Sequence, residues 1–139
     1  MPKVVVSNNQ GLVQQTGSAP ASFAPGLGIG VQSITAVGNS QGTAAAVSAA
    51  SGSLVLASGA TGTTGIVLPA LSGIPAGTLY LVLNLDGSNA LEVYPASGDK
   101  IHPAADNAPI TVAAKGMLIC VSDSAGVLWA SAEPAVTTV

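Results

Sequence analysis

The densest group of side chains capable of chemistry lies late in the chain, over positions 99–106. Asp99, His102 and Asp106 offer oxygen and nitrogen ligands to a metal ion within this short stretch. Zinc sites usually draw on several Cys or His residues, and calcium sites need five or more oxygens from an ordered loop. Because His102 is the only histidine of the chain, the segment predicts a solvated loop without a metal or another cofactor.

The sequence gives equally little support for a catalytic site. A Ser-His-Asp triad needs a histidine held beside its nucleophile, and here Pro103 follows His102 directly. Glycoside chemistry needs two facing carboxylates, and nothing in the spacing of the acids marks a pair among Asp86, Glu92, Asp99, Asp106, Asp123 and Glu133. The sequence therefore predicts no catalytic residues, and a small hydrolase acting on cell-wall sugars is kept only as an alternative.

Cys120 is the single cysteine, so no disulfide can form within the chain. It lies in the apolar run 117–121 without a cationic neighbour in sequence. A thiol in such a run is expected to be a buried small apolar group rather than a nucleophile.

Charge is almost absent from the first part of the chain. Positions 4 to 85, which are 82 consecutive residues, contain no Asp, Glu, Lys, Arg or His, and the whole chain has 6% charged residues and a net charge of -3. Binding to nucleic acid needs clustered Lys and Arg, but Lys3, Lys100 and Lys115 are scattered. We therefore expect neither an enzyme nor a nucleic-acid-binding protein, but a structural protein whose surface is covered by a partner.

A membrane location is also not expected. The mean hydropathy is +0.59, but a spanning helix needs about 18 consecutive apolar residues, and runs such as 79–83 have the length of a strand. The N-terminal apolar run 4–6 is too short for a signal peptide. The chain is expected to stay in the compartment where it is made, unless it leaves as part of a larger particle.

Residues 1–30 are predicted to form an extended N-terminal arm. Gly, Pro and polar amides recur through this segment and disfavour both helix and strand, although Val4–Val6 is expected to add one short strand to a sheet. An uncharged arm of this kind is expected to become ordered on a partner. The partner-binding residues predicted for it are Val4, Val5, Val6, Asn8, Asn9, Leu12, Val13 and Phe23.

Residues 31–139 are predicted to form a single all-β domain. Turn residues recur every 8 to 12 positions, and no helical period is sustained, which indicates a β-sandwich or jelly roll. The segment 43–50 is either strand or loop. Strands are expected at 31–37, 54–57, 66–68, 78–85, 90–94, 110–112, 117–122 and 127–130.

The clearest strand covers 78–85, where leucines alternate with Thr78, Tyr80, Val82 and Asn84. Asp86-Gly87 predicts a hairpin to the strand 90–94, with Leu91 and Val93 facing the core. Tyr80 and Tyr94 would then be cross-strand neighbours, on a face that either forms the second packed layer or meets a partner. Trp129 is expected in the core rather than on a sugar-binding platform.

Four segments together resemble a known group of proteins. They read ATGTTGIVLP (60–69), LYLVLN (79–84), SNALEVYPASGDKI (88–101) and ITVAAKG (110–116), and a tryptophan follows at Trp129. This order resembles small β modules of tailed-bacteriophage virion proteins over roughly residues 60–131. For a chain of this length with an uncharged arm, the resemblance is to capsid decoration (cement) proteins.

The resemblance implies a non-enzymatic structural virion protein without a cofactor. It would bind the outer surface of an icosahedral capsid and stabilise it by bridging subunits of the major capsid protein. Many such proteins are trimers and others are dimers, so the second expected partner is a copy of the chain itself. The expected location is the capsid exterior, after assembly in the host cytoplasm; the alternative is a tail- or fibre-associated receptor-binding module.

Overall fold

The computed structural model describes residues 4–7, 11–14, 29–123 and 128–132. This part of the chain is rich in strand and has almost no helix, apart from a short 3-10 turn at Leu71–Gly73. The strands are β1 (Val4–Ser7), β2 (Gly11–Gln14), β3 (Val31–Thr35), β4 (Ala45–Ala46), β5 (Leu54–Ser58), β6 (Gly65–Val67), β7 (Leu79–Asn84), β8 (Leu91–Tyr94), β9 (Lys100–Ile101), β10 (Ile110–Val112), β11 (Met117–Ser122) and β12 (Leu128–Ala132).

From β3 to β11 the chain alternates strictly between two mixed sheets. The larger sheet has six strands in the order β3-β5-β7-β11-β12-β9, and the smaller has four in the order β10-β8-β6-β4. Consecutive strands of this region therefore never pair with each other. Only β11 and β12 are neighbours both in sequence and in the larger sheet.

The first half of this path winds like a coil. Strands β3, β5 and β7 are parallel neighbours in the larger sheet, and β4, β6 and β8 are parallel neighbours in the smaller one. Val31 pairs with Leu54 and Leu54 with Leu81, so successive turns advance by 23 and then 27 residues. The turns differ in length, which explains why no repeat of fixed spacing is visible in the sequence.

One apolar core draws side chains from both sheets. Val55, Val82 and Leu118 come from the larger sheet, and Ile66 and Val93 come from the smaller; all five are fully buried. The side chain of Trp129 is also fully buried, and its ring meets that of Tyr80 edge-on at 5.4 Å between centroids. The predictions that Trp129, Leu91 and Val93 belong to the core are confirmed.

The buried polar side chain of Asn84 holds a connection between the sheets. The side-chain amide Nδ2 of Asn84 donates to the carbonyl oxygens of Asn89, Val112 and Ala113 at 2.8, 3.2 and 3.1 Å. Its Oδ1 accepts the backbone N–H of Asp86 at 3.0 Å. The end of β7 is thereby tied both to the following connection and to the end of β10 in the other sheet.

The predicted hairpin at Asp86-Gly87 is wrong. Strands β7 and β8 flank this turn but lie in different sheets, where β7 pairs with β5 and β11, and β8 pairs with β6 and β10. The side chain of Asp86 instead accepts the backbone N–H groups of Ser88 and Asn89 and shapes a connection that crosses between the sheets. Tyr80 and Tyr94 are consequently not cross-strand neighbours.

The ambiguous segment 43–50 contains the two-residue strand β4 and is otherwise turn or irregular. The segment 99–106 was predicted to be a solvated loop, but it contains β9, with Ile101 fully buried and Asp99 buried. Oδ2 of Asp99 accepts the backbone N–H of Leu71 at 2.9 Å. This carboxylate therefore has the structural role of holding a turn, as its sequence context indicates, but it does so at the distant Leu71 and from a buried position.

Candidate interaction surface

Three carboxylates of the described residues, Asp86, Glu92 and Asp99, are hydrogen-bonded to structural partners. Oε1 of Glu92 on β8 accepts the hydroxyl of Thr111 on β10 at 2.9 Å, and Asp99 holds Leu71 as described above. Hydrogen bonds from the backbone N–H groups of Ser88 and Asn89 lower the pKa of Asp86 below its ordinary value. These three carboxylates therefore hold turns or a cross-strand pair.

Among residues 29–123 and the other described positions, no group of three or more His, Cys, Asp or Glu side chains could hold a metal ion. Asp99, His102 and Asp106 follow one another in sequence, but their local structure differs. Asp99 is buried, whereas His102 and Asp106 are exposed in turns.

Cys120 lies on the inner face of β11 and its side chain is fully buried. Burial raises the pKa of the thiol to about 12, because the thiolate would lose its hydration. The prediction of a buried apolar cysteine is confirmed.

The most distinctive surface of the described chain is the outer side of the six-stranded sheet. Along β7 the buried residues are Tyr80, Val82 and Asn84, while the alternating leucines point away from the core. The same alternation in β5 and β11 places further apolar side chains on this side. We call this surface the outer apolar face; its central members are Leu54, Leu56, Leu79, Leu81, Leu83, Met117, Ile119 and Val121.

Strand register assembles these side chains into continuous rows. Leu81 lies between Leu54 and Ile119, and Leu83 lies between Leu56 and Met117. Leu79 pairs with Val121, and both remain well exposed, at 40% and 36%. Val31, which pairs with Leu54, extends the first row to the edge strand β3 and is 54% exposed.

The strands β3, β5, β7 and β11 have no charged residue at any position. Lys115 and Asp123 lie beyond the two ends of β11, and Asp86 lies beyond the end of β7. Lys100, on the edge strand β9, is the one charged residue within the described strands of this sheet. An uncharged apolar centre with charges only at its far edge and past its strand ends has the pattern of a protein contact, with an apolar centre and a polar rim.

The two sides of β7 are only partly predictable from the sequence. The sequence predicts that the side with Tyr80 forms either a second packed layer or a partner surface, and the structure packs this side into the core. The signal that was missed is that β5, β7 and β11 are apolar on both sides. Such strands are expected where both faces of a sheet are covered.

The N-terminal segment contains a two-stranded antiparallel hairpin. Val5 on β1 pairs with Val13 on β2, and Val6 pairs with Leu12. The strand expected at Val4–Val6 is therefore present, paired with the chain itself. Asn8, Asn9 and Phe23 lie outside the described residues, and the partner-binding role of all eight arm residues stays a prediction.

In the described residues, no helix is both long and apolar enough to cross a membrane. No protein-family model matches the chain, and no curated protein matches it.

Proposed function

We propose that this chain is a structural protein of a bacteriophage particle. In this proposal it has no catalytic role and binds the outer surface of the capsid, where it bridges subunits of the major capsid protein. It would be assembled onto the particle in the host cytoplasm and remain on the capsid exterior. The observation that carries the structural role is the outer apolar face, because a charge-free surface of this kind is best accounted for by protein cover. The resemblance of residues 60–131 to virion modules of tailed bacteriophages is what points to the phage particle.

The distribution of charge supports the same proposal. Positions 4 to 85 supply β3, β5 and β7 of the larger sheet without one Asp, Glu, Lys, Arg or His. Placing uncharged groups against another protein avoids the desolvation cost that buried charges carry. The chain is therefore suited to lie between other subunits.

The roles of the carboxylates argue against chemistry as the function. Asp86, Glu92 and Asp99 each accept a hydrogen bond that holds local structure. A general acid or base must instead reach a substrate with its proton-transferring atom. We accordingly propose a structural role rather than an enzymatic one.

For the architecture, we propose that the two sheets pack face to face as a β-sandwich. One core cluster with members from both sheets supports this arrangement. The parallel pairs among β3, β5 and β7 favour it over a jelly roll, whose strands are antiparallel.

The N-terminal arm, residues 1–30, is proposed to make the contact with the capsid. Each contact with a shell subunit can be weak and the protein still remain bound. Once the first contact forms, the second is made at a high effective concentration, because both sites are on the same molecule. Among the described residues β1 and β2 pair only with each other, so their outer edges can supply backbone groups that extend a sheet of a neighbouring subunit.

The test is co-sedimentation with purified capsids that lack this protein. The intact chain is expected to pellet with the capsids and to saturate, whereas a variant without residues 1–30 stays in the supernatant. Circular dichroism and thermal unfolding of the truncated variant serve as the control for folding. If the folded, truncated protein still saturates the capsids, the arm is not the capsid contact; if the intact protein does not bind at all, the proposed function is wrong.

A further inference from the structure

The outer apolar face is close in size to one side of a small specific interface. The five longer strands of the larger sheet are β3, β5, β7, β11 and β12. At a spacing of about 4.8 Å and a rise of about 3.3 Å per residue, they cover roughly 24 Å by 17 Å, or about 400 Å² in projection. Two such faces together give about 800 Å², and projecting side chains add to this, so a pair approaches the roughly 1,000 Å² expected of a specific interface.

The lack of charge on the outer apolar face limits which kinds of molecule can bind to it. A nucleic acid or an anionic membrane surface would be attracted by clustered lysines or arginines. Strands β3, β5, β7, β11 and β12 carry neither, and the one lysine within the sheet, Lys100, lies on its edge strand β9. A strongly charged protein partner would find no complementary charge there. The occupant that fits is another uncharged apolar surface.

A second copy of the chain carries the same uncharged apolar surface and is present wherever the first copy is made. When a surface meets itself across a two-fold axis, each charged residue near the axis approaches its own like charge. The rows Leu54-Leu81-Ile119 and Leu56-Leu83-Met117 contain no charge that would repel. Leu, Ile and Met side chains of similar length also allow two sheets to stack at the usual separation of about 10 Å.

We propose that the outer apolar face of the six-stranded sheet is the surface through which copies of this chain associate, sheet against sheet. This inference rests on the proposed function in one respect, which is that the outer apolar face is covered by protein. It adds that the covering protein is another copy, which leaves the arm free for the capsid. Self-association of the purified protein and binding to capsids are measured separately, so either can fail without the other.

The test compares two variants with the same chemical change. Val121→Lys places a charge at the end of the row that Val121 forms with Leu79, on the outer apolar face. Val37→Lys is the matched control, because Val37 is similarly exposed, at 47%. Val37 bridges to Gly65 of the smaller sheet and so lies off the larger one.

Sedimentation velocity at micromolar concentrations gives the result for the intact chain and both variants. The intact protein and Val37→Lys are expected to sediment as an oligomer of the 13.3 kDa chain. Val121→Lys is expected to associate at least about 100-fold more weakly, since each contact would bury an unpaired charge. Circular dichroism confirms that each variant is folded. Leu79→Lys places the same charge on β7, opposite Val121, and is a second variant expected to weaken association.

The proposal is overturned if the intact protein is a monomer across this concentration range. It is equally overturned if Val121→Lys and Leu79→Lys both retain the oligomer of the intact protein, because another surface would then hold the copies together. Loss of the oligomer in Val37→Lys to the same extent would also contradict it.

Discussion

The side-chain amide of Asn84 donates a hydrogen bond to the carbonyl oxygen of Val112 at 3.2 Å and so joins the end of β7 in the larger sheet to the end of β10 in the smaller. The same amide also reaches the carbonyl oxygen of Ala113 at 3.1 Å. Asn84 is 2% exposed, so water cannot readily replace these bonds when the side chain is removed.

We therefore expect Asn84→Ala to lower the free energy of unfolding by about 2–4 kcal/mol, because it leaves buried carbonyl groups without a donor. Asn39→Ala, in an exposed turn, is the control and is expected to change stability by less than about 0.5 kcal/mol. Urea unfolding followed by circular dichroism measures both. Equal stability of the two variants would show that Asn84 does not hold the sheets together.

Gly65 marks a close approach within the smaller sheet. A Cβ atom at this position would lie 2.6 Å from the carbonyl oxygen of Glu92 and 2.7 Å from Cε2 of Tyr94. Gly65→Ala is expected to cost about 1–3 kcal/mol, because β6 must move away from β8. At Gly42 no atom lies within 4 Å of the added Cβ, so Gly42→Ala is the matched control. Thermal unfolding measures both variants. Equal midpoint temperatures for Gly65→Ala and Gly42→Ala would contradict the close packing at Gly65.

Cys120 is expected to be unreactive in the folded protein. Burial removes access to the sulfur and raises the pKa of the thiol to about 12, so little thiolate exists at neutral pH. A chromogenic disulfide reagent at pH 8 should label the native protein far more slowly than the urea-unfolded protein, whose thiol has an ordinary pKa. Labelling of the native protein at the unfolded rate would mean that the inner face of β11 is open to solvent.

The positions of most strands could be predicted from local sequence, because alternating apolar residues and Gly-rich turns act over a few residues. Their pairing could not. Asp86-Gly87 has the composition of a tight hairpin turn, yet the side chain of Asp86 bonds to the backbone of Ser88 and Asn89, and the chain crosses to the other sheet. The choice between these outcomes depends on Asn84 and β10, which local sequence does not reveal.

The candidate surface was missed for a related reason. In β7 the leucines are the more hydrophobic set, and a one-sided strand would bury them. The core instead takes Tyr80 and Val82, where the Tyr80 ring packs against Trp129, 49 positions further along the chain. Only the three-dimensional register shows that Leu54, Leu81 and Ile119 form one half-buried row on the outer side of the sheet.

The most direct test of the structural role is the number of copies of this chain in purified phage particles, relative to the major capsid protein. Quantitative mass spectrometry with labelled reference peptides provides this ratio. The account predicts copies in numbers comparable to those of the capsid subunit, and their loss should lower the temperature at which the particles release DNA. A few copies per particle, with unchanged capsid stability in their absence, would contradict it and indicate a tail or fibre location instead.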